Sequence, residues 1–230
     1  MTAPDDLGGP IGQAPPVVRT TEEIDASAER WSRPAREGDR IVLLLHGLGS
    51  NEDDLIGLAP YLPTEYVYVS LRGIFSYVQG YAWLDFPPDA ADREKISASA
   101  AALERWIARQ EGTVVGAIGF SQGAMLALEL LRRDPGSLRW AVQLSGAPFP
   151  DERPEDAALA ERRVPVLWGR GALDPLFDEE RIAAVQEWMA AHTEMVAVVS
   201  PYLGHGVDEA VLGAVAEFVR GQLDAGTDLA

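Results

Sequence analysis

Six short apolar runs constrain this chain more than anything else in it. They are Ile41 to Leu45 (IVLLL), Tyr66 to Val69, Thr113 to Ile118, Trp140 to Leu144, Val164 to Trp168 and Val196 to Val199. Each is too short to be an independent helix, and none alternates apolar with polar. Such runs suit strands buried on both faces. Helical spacing falls between several of them. Ile96, Ala100, Leu103 and Ile107 keep it, with Gly112 as a stop. Ile182, Val185 and Met189 mark another helix, and Val207, Val211, Val215 and Phe218 a last one. Strands alternating with helices predict an α/β domain, with a mostly parallel central sheet and helices on both faces.

The chain has 230 residues, enough for one domain with a sizeable core. Residues 1–16 are rich in Pro, Gly and Asp and read as a flexible tail, so 17–230 is expected to form the domain. Val17 to Pro34 is ambiguous, with room for a peripheral strand or hairpin. Leu71 to Lys95 reads as a long connection with little regular pattern. It carries Phe75, Tyr77, Tyr81, Trp83 and Phe86. A binding loop and a cover for a sheet edge are both open for it.

Charge and composition exclude several functions. The net charge is −17, which opposes binding to nucleic acid or to an anionic membrane surface. There is no cysteine, so no disulfide, thiolate metal site or cysteine nucleophile. Three scattered histidines form no metal-binding pattern, and neither metal nor cofactor is expected. No run is long enough to span a membrane, and the N-terminus lacks signal-peptide features, so a cytoplasmic protein without integral membrane association is expected. The oligomeric state is open at this stage.

Thr113 to Arg133 reads TVVGAIGFSQGAMLALELLRR. A strand runs into a helix with only Gly-Phe-Ser-Gln-Gly between them. That reversal forces Ser121 into a strained turn, and small residues two positions either side let the backbone pass closely. Ser121 Oγ then projects from the carboxyl end of the sheet, beside a helix N-terminus.

A serine nucleophile needs a base. His46 ends the first strand, and His192 closes a helix, where it can bond the last carbonyls. His205 follows the last strand between Gly204 and Gly206, and is the expected base. Its carboxylate partner is expected to be Asp174, on the loop after the penultimate strand. Asp178, followed by Glu179 and Glu180, is better suited to capping the next helix. The order Ser, Asp, His is that of an α/β-hydrolase. Oxyanion donors are expected from the backbone N–H groups of Gln122, after the serine, and Leu48, in the loop His46-Gly47-Leu48-Gly49. His46 is then structural.

Together LHGLGSNEDDL, GFSQGA, LSGAP, GALDP and GHGVD resemble the phospholipase/carboxylesterase family of α/β-hydrolases, which includes acyl-protein thioesterases. The resemblance runs from about Ile41 to Leu223. It implies an α/β-hydrolase fold, cofactor-free hydrolysis of carboxylic or thio esters through an acyl-enzyme, and the same triad and oxyanion donors, while the small chain size leaves no room for a large separate cap domain. The expected partner is a small-molecule ester of short to medium acyl length, with thioesters and lysophospholipids as alternatives. YAWLDF (81–86) resembles a family segment beside the acyl pocket, with Leu84 in place of an aromatic. LSGAPF (144–149) resembles the opposite wall. Candidate pocket residues are therefore Phe75, Tyr81, Trp83, Leu84, Pro148 and Phe149. A non-catalytic ligand-binding module is the rival from another class. Peptide hydrolysis on the same triad is a further one.

Overall fold

The computed structural model describes residues 17–85, 88 and 93–225. The expected tail, 1–16, and Phe86 lie outside them. All six apolar runs are strands of one sheet. Its strands are β2 (Arg30–Trp31), β3 (Arg40–Leu45), β4 (Tyr66–Leu71), β7 (Thr113–Phe120), β8 (Trp140–Leu144), β9 (Pro165–Gly171) and β10 (Glu194–Ser200). Their spatial order is β10-β9-β8-β7-β3-β4-β2. Every pairing is parallel except that of β2, which runs antiparallel to β4.

Strand β3 shows why these runs carry no polar alternation. Ile41, Leu43 and Leu45 enter the core on one face, and Val42 and Leu44 the core on the other. Helices cover both. α2 (Arg93–Ile107), α3 (Gln122–Arg133), α4 (Asp156–Arg162) and α5 (Glu179–His192) build the first face. α6 (Glu209–Ala225) and the short α1 (Glu52–Leu55), continued by a 3-10 turn, build the second. α3 is buried from Gln122 to Arg132, with Leu126, Leu128, Leu130 and Leu131 wholly inside. Each such leucine contributes about 2 kcal/mol of burial.

One segment differs from the sequence expectation. The supposedly irregular stretch after Leu71 holds β5 (Phe75–Tyr77) and β6 (Gly80–Ala82), a hairpin that pairs with β1 (Val18–Arg19) in a small second sheet. The ambiguous Val17 to Pro34 region supplies β1 and the edge strand β2. Strands of two or three residues are too short to show a period in sequence.

Candidate active site

The site residues lie past the carboxyl ends of five adjacent parallel strands. Ser121 follows β7, the middle strand of the seven-stranded sheet. The His46–Ser50 loop follows β3 on one side of it, and Ser145 to Glu152 follows β8 on the other. Asp174 follows β9 and His205 follows β10.

Ser121 has φ 53° and ψ −112°, a conformation that side chains rarely adopt. Two glycines make it possible. A Cβ on Gly119 would stand 2.3 Å from the Gly123 carbonyl, and one on Gly123 would stand 1.9 Å from the Leu45 carbonyl oxygen. The helix N-terminus thus rests directly on the end of β3. The Ser121 N–H donates to Leu144 O at 2.8 Å, tying the turn to β8 as well.

His205 and Asp174 meet. The His205 Nδ1–H donates to Asp174 Oδ2 at 2.7 Å, which leaves Nε2 as the free lone pair. Asp174 is 4% exposed, and its other oxygen accepts from the Leu176 N–H at 3.0 Å. The two loops are joined through the Leu173 N–H to Leu203 O, at 2.9 Å. Gly171 allows this approach, since a Cβ there would lie 2.1 Å from Leu203 O. The His205 ring packs on Phe120, the residue before the serine, with ring centroids 5.0 Å apart. Ser121 and His205 line one small cleft, with no direct hydrogen bond between them. Such contacts are often long before substrate binds. Asp178 caps α5 instead, accepting from the Arg181 N–H at 2.8 Å. His192 Nδ1 lies 2.7 Å from Trp188 O at the end of the same helix.

Among the described residues, the Leu48 and Gln122 N–H groups have no hydrogen-bond partner. The Gln122 side chain is occupied elsewhere: its Oε1 accepts from the Trp83 N–H at 3.1 Å, and its Nε2 donates to Leu84 O at 2.9 Å. His46 braces the β3 loop from inside. Its Nε2 accepts from the Gly73 N–H at 3.0 Å, so Nδ1 carries the proton and donates to Gly47 O at 2.7 Å. Burial holds the His46 ring below the usual imidazole range, in keeping with this neutral form.

A groove of about 480 Å³ opens from the cleft. Met125 and Ala147 belong to both, as does Arg181. Pro148 and Phe149 form one wall, and Val185 and Trp188 of α5 form the other. The buried Arg132 guanidinium holds both walls. It donates to Phe149 O at 3.1 Å, Asp151 Oδ1 at 2.8 Å and Asp156 Oδ1 at 2.7 Å, and stands 5.4 Å from the Trp188 ring centre.

Of the candidate pocket residues, Pro148 and Phe149 line this groove. Phe75, Trp83 and Leu84 are core residues at 2% exposure or less and line neither cavity. Trp83 works from behind, its Nε1–H donating to His46 O at 3.0 Å. Tyr81 lies under the Arg72 guanidinium, which is paired with Glu52. Met125, Arg181, Val185 and Trp188 were not expected in a pocket. Val185 was legible as a helix position, but nothing in sequence says which strand loop faces that helix. Among the described residues no cluster of three or more His, Asp or Glu could hold a metal ion. No helix among them is long and apolar enough to cross a membrane.

The model of the phospholipase/carboxylesterase family matches residues 29–223. Esterase YpfH of Escherichia coli is 27% identical over 190 residues, spanning 76% of this chain and 79% of its own. Two solved structures share the fold. A carboxylesterase from Mesorhizobium loti superposes with a TM-score of 0.70 at 22% identity, over 89% of this chain and 99% of its own. Zea mays acyl-protein thioesterase 2 does so with a TM-score of 0.69 at 21% identity, over 85% and 98%.

Proposed function

The chain belongs to the phospholipase/carboxylesterase family of α/β-hydrolases, and from that premise we propose that it is a serine carboxylesterase acting on short to medium acyl esters through an acyl-enzyme. Ser121 Oγ attacks the ester carbonyl carbon while its proton passes to His205 Nε2. Asp174 fixes the imidazole tautomer and stabilises the imidazolium. The Leu48 and Gln122 N–H groups hold the oxyanion. As the tetrahedral intermediate collapses, the ester C–O bond breaks and the alkoxide takes the proton from His205. A water molecule then gives its proton to His205 as it attacks the acyl carbon. Collapse returns that proton to Ser121 and frees the acid.

The observation that carries this reading is the 2.7 Å bond between His205 and buried Asp174 beside a serine at φ 53°. The apolar groove meeting the cleft at Met125 and Ala147 supports placing the acyl chain there. The alternative activities use the same steps on a thioester or a lysophospholipid. Hydrolysis of p-nitrophenyl esters from acetate to dodecanoate, beside the matching acyl thioesters, tests the reading. The wild type should turn over esters with a maximum at a defined chain length, and Ser121→Ala should lose all but about a millionth of the rate. An inactive wild type, or a mutant that keeps its rate, would contradict it.

A further inference from the structure

The two edges of the main sheet are treated differently. At one end stands β2, two residues long, carrying Arg30 and turned antiparallel. That is a protected edge. At the other end stands β10, seven residues reading EMVAVVS. It pairs with β9 on one side, and no described strand pairs with the other. Val196 is 47% exposed and Val199 46%, and Ala197 is exposed between them. No proline, lysine or arginine interrupts the strand, and Pro201 follows only after its end. Its one charge is Glu194, at its start.

We propose that β10 is the self-association edge of this protein, pairing antiparallel with β10 of a second copy about a two-fold axis near Ala197. The occupant follows from the charge pattern and the symmetry. A chain of net charge −17 repels its own copies over most of its surface. β10 is a seven-residue stretch with a single carboxylate. Antiparallel pairing centred on Ala197 places the two Glu194 residues at opposite ends, about 20 Å apart, beyond the screening length of physiological salt. Each Glu194 then stands opposite Ser200, Met195 opposite Val199, and Val196 opposite Val198. The edge is self-complementary, as an isologous interface requires. The joined sheet would run through fourteen strands, seven from each copy, and leave β2 at both outer ends. Because β10 leads into the loop bearing His205, the pairing would also steady that loop in each subunit.

Sedimentation equilibrium of the full chain tests this. At tens of micromolar, the wild type should weigh twice the 24.8 kDa of the single chain. Val196→Lys combined with Val199→Lys should weaken association by more than about 100-fold, through four lysines at one edge pairing. The double variant should keep its circular dichroism and remain monomeric. An independent variant uses the absence of native cysteine. Ala197→Cys should form an intermolecular disulfide on mild oxidation, because antiparallel partners on the axis bring their Cα atoms within disulfide range. Glu65→Cys, an exposed position N-terminal to β4, should not. A monomeric wild type would overturn the proposal. So would a dimer that survives both lysines, or one in which Ala197→Cys fails to cross-link. A monomer whose β10 amides resist hydrogen exchange would point to coverage by another segment of the same chain, which also overturns it.

Discussion

Gly123 is where the fold and the proposed chemistry meet, and replacing it with alanine should cost far more activity than its one methyl group suggests. The new Cβ would lie 1.9 Å from Leu45 O, 2.4 Å from Leu45 C and 2.7 Å from His46 O. All three are backbone atoms, so no side chain can rotate aside. Reaching even 3.0 Å, a separation below which real Cβ contacts essentially never fall, requires the α3 N-terminus and the end of β3 to part by more than 1 Å. Gln122 immediately precedes the substituted residue, and Leu48 lies two residues past His46. The displacement therefore falls between the two proposed oxyanion donors. An error of that size costs about 100-fold in rate, and complete loss of one donor about 100- to 1,000-fold. Overpacking should also cost about 1–3 kcal/mol, or roughly 2–12 °C in Tm for a chain of this size. Turnover of p-nitrophenyl butyrate and a thermal melt read both. Gly213→Ala is the control, since a Cβ there meets nothing within 4 Å in the middle of α6. It should gain about 0.5–1 kcal/mol and keep its turnover. A Gly123→Ala enzyme within threefold of wild-type kcat would refute the reasoning, as would an equal loss in Gly213→Ala.

Other perturbations probe separate parts of the account. Asp174→Asn should leave the melting temperature within a few degrees and lower kcat about 10,000-fold, because the imidazole is held in the wrong tautomer; a loss under tenfold would count against Asp174 as the orienting carboxylate. Arg132→Met removes the cation paired with Asp151 and Asp156, whose carboxylates are largely buried. It should destabilise by about 3–5 kcal/mol and raise KM for the longest esters more than for acetate, and an unchanged melt would contradict the burial argument. The Arg33 guanidinium holds the Asp39 carboxyl at about 2, against an ordinary 3.8. A depressed carboxylate favours folding above its unfolded value, and that contribution is lost as pH falls through about 2. Arg33→Ala should raise the Asp39 midpoint, followed by NMR, towards the ordinary carboxylate range, with the Arg36 N–H still holding it partly down; a midpoint left near 2 would show another cause.

The sheet was legible because its inner strands are buried on both faces; β10 differs from that expectation, since it is an edge strand whose Val196 and Val199 are exposed. A run such as IVLLL has no other comfortable place in a folded domain, and β3 puts its residues alternately into both cores. The serine turn was legible because steric closeness demands glycine at 119 and 123, and glycine is visible in sequence. The pairing of Asp174 with His205 was reached by elimination among three histidines and two neighbouring aspartates. The aromatic loop was not legible. Phe75, Trp83 and Leu84 are as apolar as pocket residues and lie in the core, and no periodicity separates the two fates in a three-residue strand or in the bend that follows β6. The groove was half legible. Pro148 and Phe149 follow β8, next to the serine strand, whereas Trp188 and Arg181 come from a helix whose orientation depends on tertiary packing. Nor could sequence assign the buried Arg132, which looks like any helix-terminal arginine.

The central claim is that Ser121 forms the acyl-enzyme. The most direct test is to react the protein with an alkyl fluorophosphonate and weigh it intact, then map the modified peptide. The account predicts one equivalent of added mass per chain, located on Ser121, together with loss of ester hydrolysis. It predicts no labelling of Ser121→Ala and labelling of His205→Ala slowed by orders of magnitude. Label found on another residue, or full ester turnover in protein whose Ser121 is modified, would contradict it.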